Sequence, residues 1–183
     1  MDSRDGIKYP TTLIGSQCWL AKNLNYRAGS YYNNDSVSYA EDYGRLYSWS
    51  QVMAGSPSSN SNPSNVQGVC PNGWHVPSRP EWDQLILTVG GISNGGDLKE
   101  TGFAFWNNPN TGATNNTGFS ARGAGEHGGG MYRHLKEEGI FWTTTEWTTP
   151  GFAYTKNLDY QDANIDDVVN NKTNKMSCRC VKD

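Results

Sequence analysis

The sequence predicts an α+β fold: loop-rich, with small antiparallel sheets, two or so helices and disulfide staples. Three observations carry this. Residues 68–82, GVCPNGWHVPSRPEW, set a cysteine, a turn, a short strand and a capped helix in immediate succession. Residues 139–183 alternate short β-type runs with turn signals. Finally, 183 residues carrying Gly 21, Trp 7 and Tyr 10 at only 35% hydrophobic content require large aromatics packed between many turns.

Taken in order, residues 6–9, 11–14 and 18–20 read as strands, with Gly15-Ser16 as a hairpin turn between the last two. Residues 27–42 scatter Tyr31, Tyr32 and Tyr39 among Asn, Ser and Asp, the composition of a surface loop. Residues 46–54 space Leu46, Trp49 and Met53 on one helical face. Residues 55–68 are Ser/Asn/Pro-rich and have too little apolar surface to offset ordering entropy, so an exposed loop is expected. Pro71-Asn72-Gly73 then turns the chain into a strand, Trp74-His75-Val76, which Pro77 ends. Ser78 and Glu81 have capping-box spacing, and Trp82, Leu85, Ile86 and Val89 form one apolar face before Gly90-Gly91. Residues 97–105 read as a short helix or strand, 106–116 as loop, and 118–121 as a strand entering the glycine-rich GAGEHGGG. Four strands follow, at 141–144, 152–158, 163–168 and 176–181, with residues 170–174 turning into the last.

This length suits a single domain spanning 1–183. A formal charge of -3 without clusters suggests neither a nucleic-acid partner nor a membrane surface, and no stretch approaches ~20 consecutive apolar residues. The cysteines are Cys18, Cys70, Cys178 and Cys180; they lack the paired C-x-x-C spacing of zinc sites. Cys178 and Cys180 share a face if extended, which suits two bridges to separate partners. Three pairings are open, of which Cys70–Cys180 with Cys18–Cys178 is favoured. Disulfides imply an oxidising compartment. With no visible signal peptide, the chain is expected to be a domain of a longer secreted protein.

Catalytic and metal motifs find little support. His75, His127 and His134 are scattered and no Gly-x-Ser-x-Gly elbow accompanies them, so His75 is expected to be a hydrogen-bonded scaffold residue. The glycines of 123–130 lack the Lys-Ser/Thr ending of a phosphate loop. Asp159, Asp162, Asn164, Asp166 and Asp167 form an oxygen-rich run that could suit calcium, but neither the sixth-position glycine nor the distal Glu of an EF-hand is present. A solvated strand face is the simpler reading, and no cofactor is expected.

Six segments occur in a telling order: DSRDGIKYPTTLIGSQCWLAKNLNY, GRLYSW, CPNGWHVPSRPEW, TGFSARGAG, FWTTTEW and NNKTNKMSCRCVKD. Together they resemble the Fibrobacter succinogenes major paralogous domain, a family of secreted and surface proteins of Bacteroidetes and Fibrobacteres. Its segments are in turn similar to those of formylglycine-generating-enzyme-type and C-type lectin-like folds, where WHVPSRPEW matches a strand–helix and SCRCV a closing strand. The resemblance implies a C-type lectin-like domain whose terminal strands lie side by side. Cys18 and Cys178 depart together from the family pattern, which favours a second bridge between them. The run of Trp, Tyr, Asn and Asp before SCRCV also resembles the variable regions of diversity-generating retroelement proteins, which display a changeable ligand-binding face.

The resulting expectation is a non-enzymatic ligand-binding module, extracellular or on a bacterial surface, alone or within a larger secreted or phage-borne display protein. Its partner would be a protein or carbohydrate, held on residues 141–183 by Glu146, Trp147, Tyr154, Lys156, Tyr160, Asp162, Asn164, Asp166, Asp167 and Val169. Exposed Trp and Tyr supply large contact area at low entropy cost. The alternatives are an adhesive passenger domain without a pocket, or a relative of the formylglycine-generating enzymes, which would need an accessible reactive cysteine.

Overall fold

The computed structural model describes residues 1–28 and 36–182; Tyr31 and Tyr32 lie outside them. The chain is α+β, with strands β1 (Thr11–Ile14), β2 (Gln17–Leu20), β3 (Leu46–Ser48), β4 (Glu126–Gly128), β5 (Met131–Arg133), β6 (Glu138–Glu146), β7 (Phe152–Asp159), β8 (Asp166–Asn171), β9 (Lys175–Ser177) and β10 (Val181–Lys182). Helices α1 (Val37–Tyr43), α2 (Trp49–Met53) and α3 (Arg79–Thr88) are joined by a 3-10 segment at Ile92–Leu98. Three strands form one sheet, β1-β2-β10, which brings the two ends of the chain together. Seven form the other, β5-β4-β9-β6-β7-β8, with β3 also on β9. Among the described strands only β6 and β9 pair in parallel, beside one isolated parallel bridge, Lys99 to Ala121.

The β1–β2 hairpin turns at Gly15-Ser16, where Gly15 adopts φ +61, as a two-residue turn matched to strand twist requires. Helix α3 begins where its capping box predicts: Ser78 accepts from the Glu81 amide, and the Glu81 side chain accepts from the Ser78 amide. Trp82, Leu85 and Ile86 are buried, and Trp82 packs against Trp19, Phe119 and Phe141 at 4.9–5.6 Å between rings. Because Ser78 is itself buried, and its hydroxyl also donates to the Ser61 carbonyl, Ser78→Ala should cost about 1–2 kcal/mol. A denaturant midpoint equal to that of the wild type would show that this cap does not hold the helix.

Several expectations are corrected. Residues 6–9 form no strand, because the chain is turned back by bonds between Asp2 and both Ile7 and Gly6. The expected loop at 27–42 contains α1, where Tyr39 and Tyr43 stack at 5.9 Å over Phe105 and Ala124. The single helix expected at 46–54 divides: Leu46–Ser48 pairs with β9, and a Ser48–Gln51 capping box restarts the chain as α2. The strands at 74–76 and 118–121 shrink to single bridges, His75 to Val181 and Ala121 to Lys99. The third C-terminal strand moves from 163–168 to Asp166–Asn171. The segment before it is held as a loop by Asx turns, from Asp159 to the Gln161 amide and from Asp162 to the Asn164 amide. The last strand breaks at residues 178–180.

Of the two expected bridges, Cys70–Cys180 forms, with Cα atoms 5.9 Å apart. Spanning 110 residues, it is worth about 4–5 kcal/mol in the chain-entropy account. Cys18 and Cys178 are free thiols. The pairing explains why: Cys18 lies opposite Lys182, whereas the Cys178 carbonyl accepts the Leu24 amide, so the two cysteines face different segments of the chain.

Candidate functional site

A groove that gathers aromatic and polar side chains lies where β6 loses register with β7. Trp142 pairs with Thr155, but Glu146 pairs with Ala153, so β6 carries two more residues than its neighbour over the same span. A bulge of this kind re-aims side chains. Here it turns Thr144 and Thr145 toward the Ser/Asn-rich loop, while Thr143 Oγ1 donates to the Tyr154 carbonyl. Thr144 exchanges two bonds with Ser59, backbone and side chain, and Thr145 Oγ1 reaches the Ser59 carbonyl and Asn60 Oδ1. Thr145 Oγ1 also accepts the Arg79 amide at the start of α3. Loop, bulge and helix are thereby joined by polar bonds, which compensate for the loop's lack of apolar surface.

Between them lies an open groove of about 310 Å³. One wall is Trp147, 39% exposed, with its ring edge-on to Tyr154 at 5.2 Å. Arg79 covers Tyr154 at 4.4 Å, a cation–π distance. Ser58, Ser59, Asn60, Thr145 and Thr148 supply hydroxyls and an amide, and Glu146 a carboxylate. Lys172 donates to Glu146 and holds that carboxyl below its ordinary pKa, so one end of the groove carries an ionised carboxylate paired with an ammonium. Arg79 pairs with Asp167, and Lys156 bridges Asp167 (3.2 Å) and Asp83 (2.8 Å), forming an ion cluster beside the groove.

The ten expected site residues do not form one surface. Glu146, Trp147 and Tyr154 line the groove, while Asp167 and Lys156 sit in the adjoining ion cluster. Lys156 is only 2% exposed, so it braces α3 against the sheet rather than offering itself to a ligand. Val169 is the cross-strand neighbour of Tyr154. Tyr160, Asp162 and Asn164 lie beyond the other end of β7, with Tyr160 six residues on from Tyr154, ~20 Å in a strand, whereas Asp166 starts β8 opposite Asn157, three residues from Tyr154. Tyr160 packs against the core containing Trp82 and Leu158. Arg79 and residues 58–60 belong to the groove but went unread in the sequence. Nothing local marks them, since a tertiary bulge brings them there.

A single profile spans nearly all of this architecture: the Fibrobacter succinogenes major domain matches residues 13–182. The chain belongs to that family. No curated protein and no solved structure matches it. In this Fibrobacter succinogenes major domain the groove therefore lies within the family unit and not on an appendage.

The domain does not gather its acidic run around one point. Asp159 and Asp162 cap their own loop, and Asp167 faces Arg79 and Lys156. The loop's inward carbonyls, of Asp159 and Asp162, accept instead from the buried Lys99 ammonium at 2.8 and 2.7 Å. Burial pushes Lys99 down to about 8, opposed by the charges of Asp162 and Asp159. Burial likewise raises Asp166, with Asp162 and Asp159 adding to the shift. His75 hydrogen-bonds Glu81 at 2.5 Å as part of the scaffold. Among the described residues, three metal-ligating atoms converge in one place, the sulfurs of Cys70, Cys178 and Cys180.

Proposed function

We propose that this domain is a non-enzymatic, extracellular recognition module that holds a protein or glycan ligand in the Trp147–Tyr154 groove of a C-type lectin-like scaffold. The observation that carries the reading is a partly exposed tryptophan, braced by a tyrosine and an arginine, set among hydroxyl, amide and carboxylate groups. Aromatic anchors surrounded by polar neighbours are the usual anatomy of a binding hot spot. The pairing of β10 with the N-terminal hairpin supports the lectin-like architecture, and the Cys70–Cys180 bridge supports an oxidising compartment. The groove lining contains no cysteine, which weighs against an oxidase of the formylglycine-generating type.

The test is an array of glycans and surface proteins probed with wild type and a Trp147→Ala/Tyr154→Ala variant. The double change should abolish binding, each ring being worth about 1–4 kcal/mol. The same change should lower stability by no more than about 1–2 kcal/mol, chiefly the lost ring–ring contact. Tyr160→Ala should bind as the wild type, because that ring lies outside the groove. Binding that survives the double change, or is lost on Tyr160→Ala with the fold intact, would place the site elsewhere. Silence across the whole array with wild type would favour the passenger-domain alternative.

A further inference from the structure

The Sγ atoms of Cys70, Cys178 and Cys180 lie within 4.8 Å of one another, and all three residues are fully buried. Cys70 and Cys180 are bridged, leaving Cys178 as a spare thiol against the bridge. A second observation concerns charge. Arg179, between the two C-terminal cysteines, is completely buried, and its guanidinium bonds only to oxygens of Leu20, Phe119, Ser120 and Asn23. Among the described residues it has no carboxylate partner, and its guanidinium lies over the Phe119 ring at 4.2 Å.

We propose that reduction of the Cys70–Cys180 bridge turns this cluster into a trithiolate site for a divalent d10 cation of the zinc class. A phosphine reductant opens the bridge by taking the oxygen of one water and becoming a phosphine oxide. The two sulfurs take the electron pair and the water's two protons. The cation then forms three metal–sulfur bonds and displaces three thiol protons to solvent. Zinc–sulfur bonds of about 2.3 Å need sulfurs ~3.8–4.0 Å apart, so Cys178 Sγ has to close by under ~1 Å from the 4.8 Å limit, while the two bridge sulfurs, once reduced, have to separate to that distance. Thiolates select soft or borderline cations over calcium and magnesium. Three thiolates around a divalent ion leave one negative charge, at a chain segment that also carries the Arg179 cation. A monovalent ion would leave two. Bridge and site exclude each other, because sulfurs bonded to one another cannot serve as thiolates.

Titration of the phosphine-reduced chain with cadmium, followed by thiolate charge-transfer absorption without oxygen, tests the proposal. One equivalent per chain should bind, zinc should compete for it, and the near-ultraviolet dichroism of the folded tryptophans should be present in the complex. Cys18→Ser should behave as the wild type. Cys178→Ser, which keeps the native bridge when oxidised, should bind the metal more than ~100-fold more weakly once reduced, since even outer-shell changes cost about 10–100-fold. The oxidised wild type should give no band. The proposal is overturned by equal binding in oxidised and reduced chains, by wild-type affinity in Cys178→Ser, by dependence on Cys18, or by a reduced chain that stays unfolded with metal present.

Discussion

Arg179→Ala is expected to lose about 3–5 kcal/mol of stability, from stranded buried acceptors together with a cavity. Nη1 of this guanidinium donates to the carbonyls of Leu20 at 2.8 Å and Phe119 at 2.5 Å. Nε and Nη2 donate to Asn23 Oδ1, while the Asn23 amide donates onward to the Tyr43 carbonyl and Ser177 Oγ. The plane lies 4.2 Å from the Phe119 ring. One side chain therefore joins the segment after β2, the strand-like residues near 119 and the stretch between β9 and β10. Truncation leaves two carbonyls and an amide oxygen dry, each a loss of about 1–3 kcal/mol, and opens a cavity. Arg179→Lys should recover little, because an ammonium cannot reproduce the planar fork. Urea melts of the three proteins decide it. A loss below about 1 kcal/mol for the alanine variant would mean that water replaces the guanidinium and that the site is not dry.

Glu81→Ala should cost a similar ~3–5 kcal/mol, with a second consequence for binding. Its Oε2 accepts the Ser78 amide at 2.8 Å and the Ser64 amide at 3.0 Å; Oε1 meets His75 Nε2 at 2.5 Å. The carboxylate thus caps α3, ties down the loop at 58–66 and reaches the residue that bridges to β10. Loss of the Ser64 anchor should loosen Ser58, Ser59 and Asn60, so ligand affinity should fall even at temperatures where the fold persists. Glu81→Gln keeps one acceptor oxygen and should lose about 1–2 kcal/mol. His75→Ala should be milder than Glu81→Ala, since it leaves the two amide bonds in place. If His75→Ala proves the more damaging, the imidazole and not the cap is the centre of this cluster.

The contrast between these two residues shows where local reading stops. Glu81 was legible as a helix cap, because Ser-x-x-Glu before an apolar face has a mechanism contained in four residues. Its grip on Ser64 and His75 was not, since both contacts arise only when the loop folds back. Arg179 gave no signal at all: a lone arginine between cysteines reads as surface, and only the meeting of three chain segments makes a cradle of carbonyls for it. The lysine ammonium within the acidic loop was equally invisible, 60 residues from the Asp159 carbonyl that it holds.

From the sequence alone followed the α+β class, the capped central helix, the β1–β2 hairpin, the Cys70–Cys180 bridge and the family. Each rests on spacing along a few residues or on segments whose order is itself the signal. Tertiary structure decided the rest. The register of β10 on β2 keeps Cys18 away from Cys178, because pairing fixes which residues lie opposite. The bulge in β6 assembles the groove from loop, strand and helix, and the length of β7 separates Tyr154 from Tyr160. Residues that look like neighbours in a polar, aromatic run are divided by ~20 Å of strand, while Arg79 and Ser59, far from that run in sequence, are brought against it.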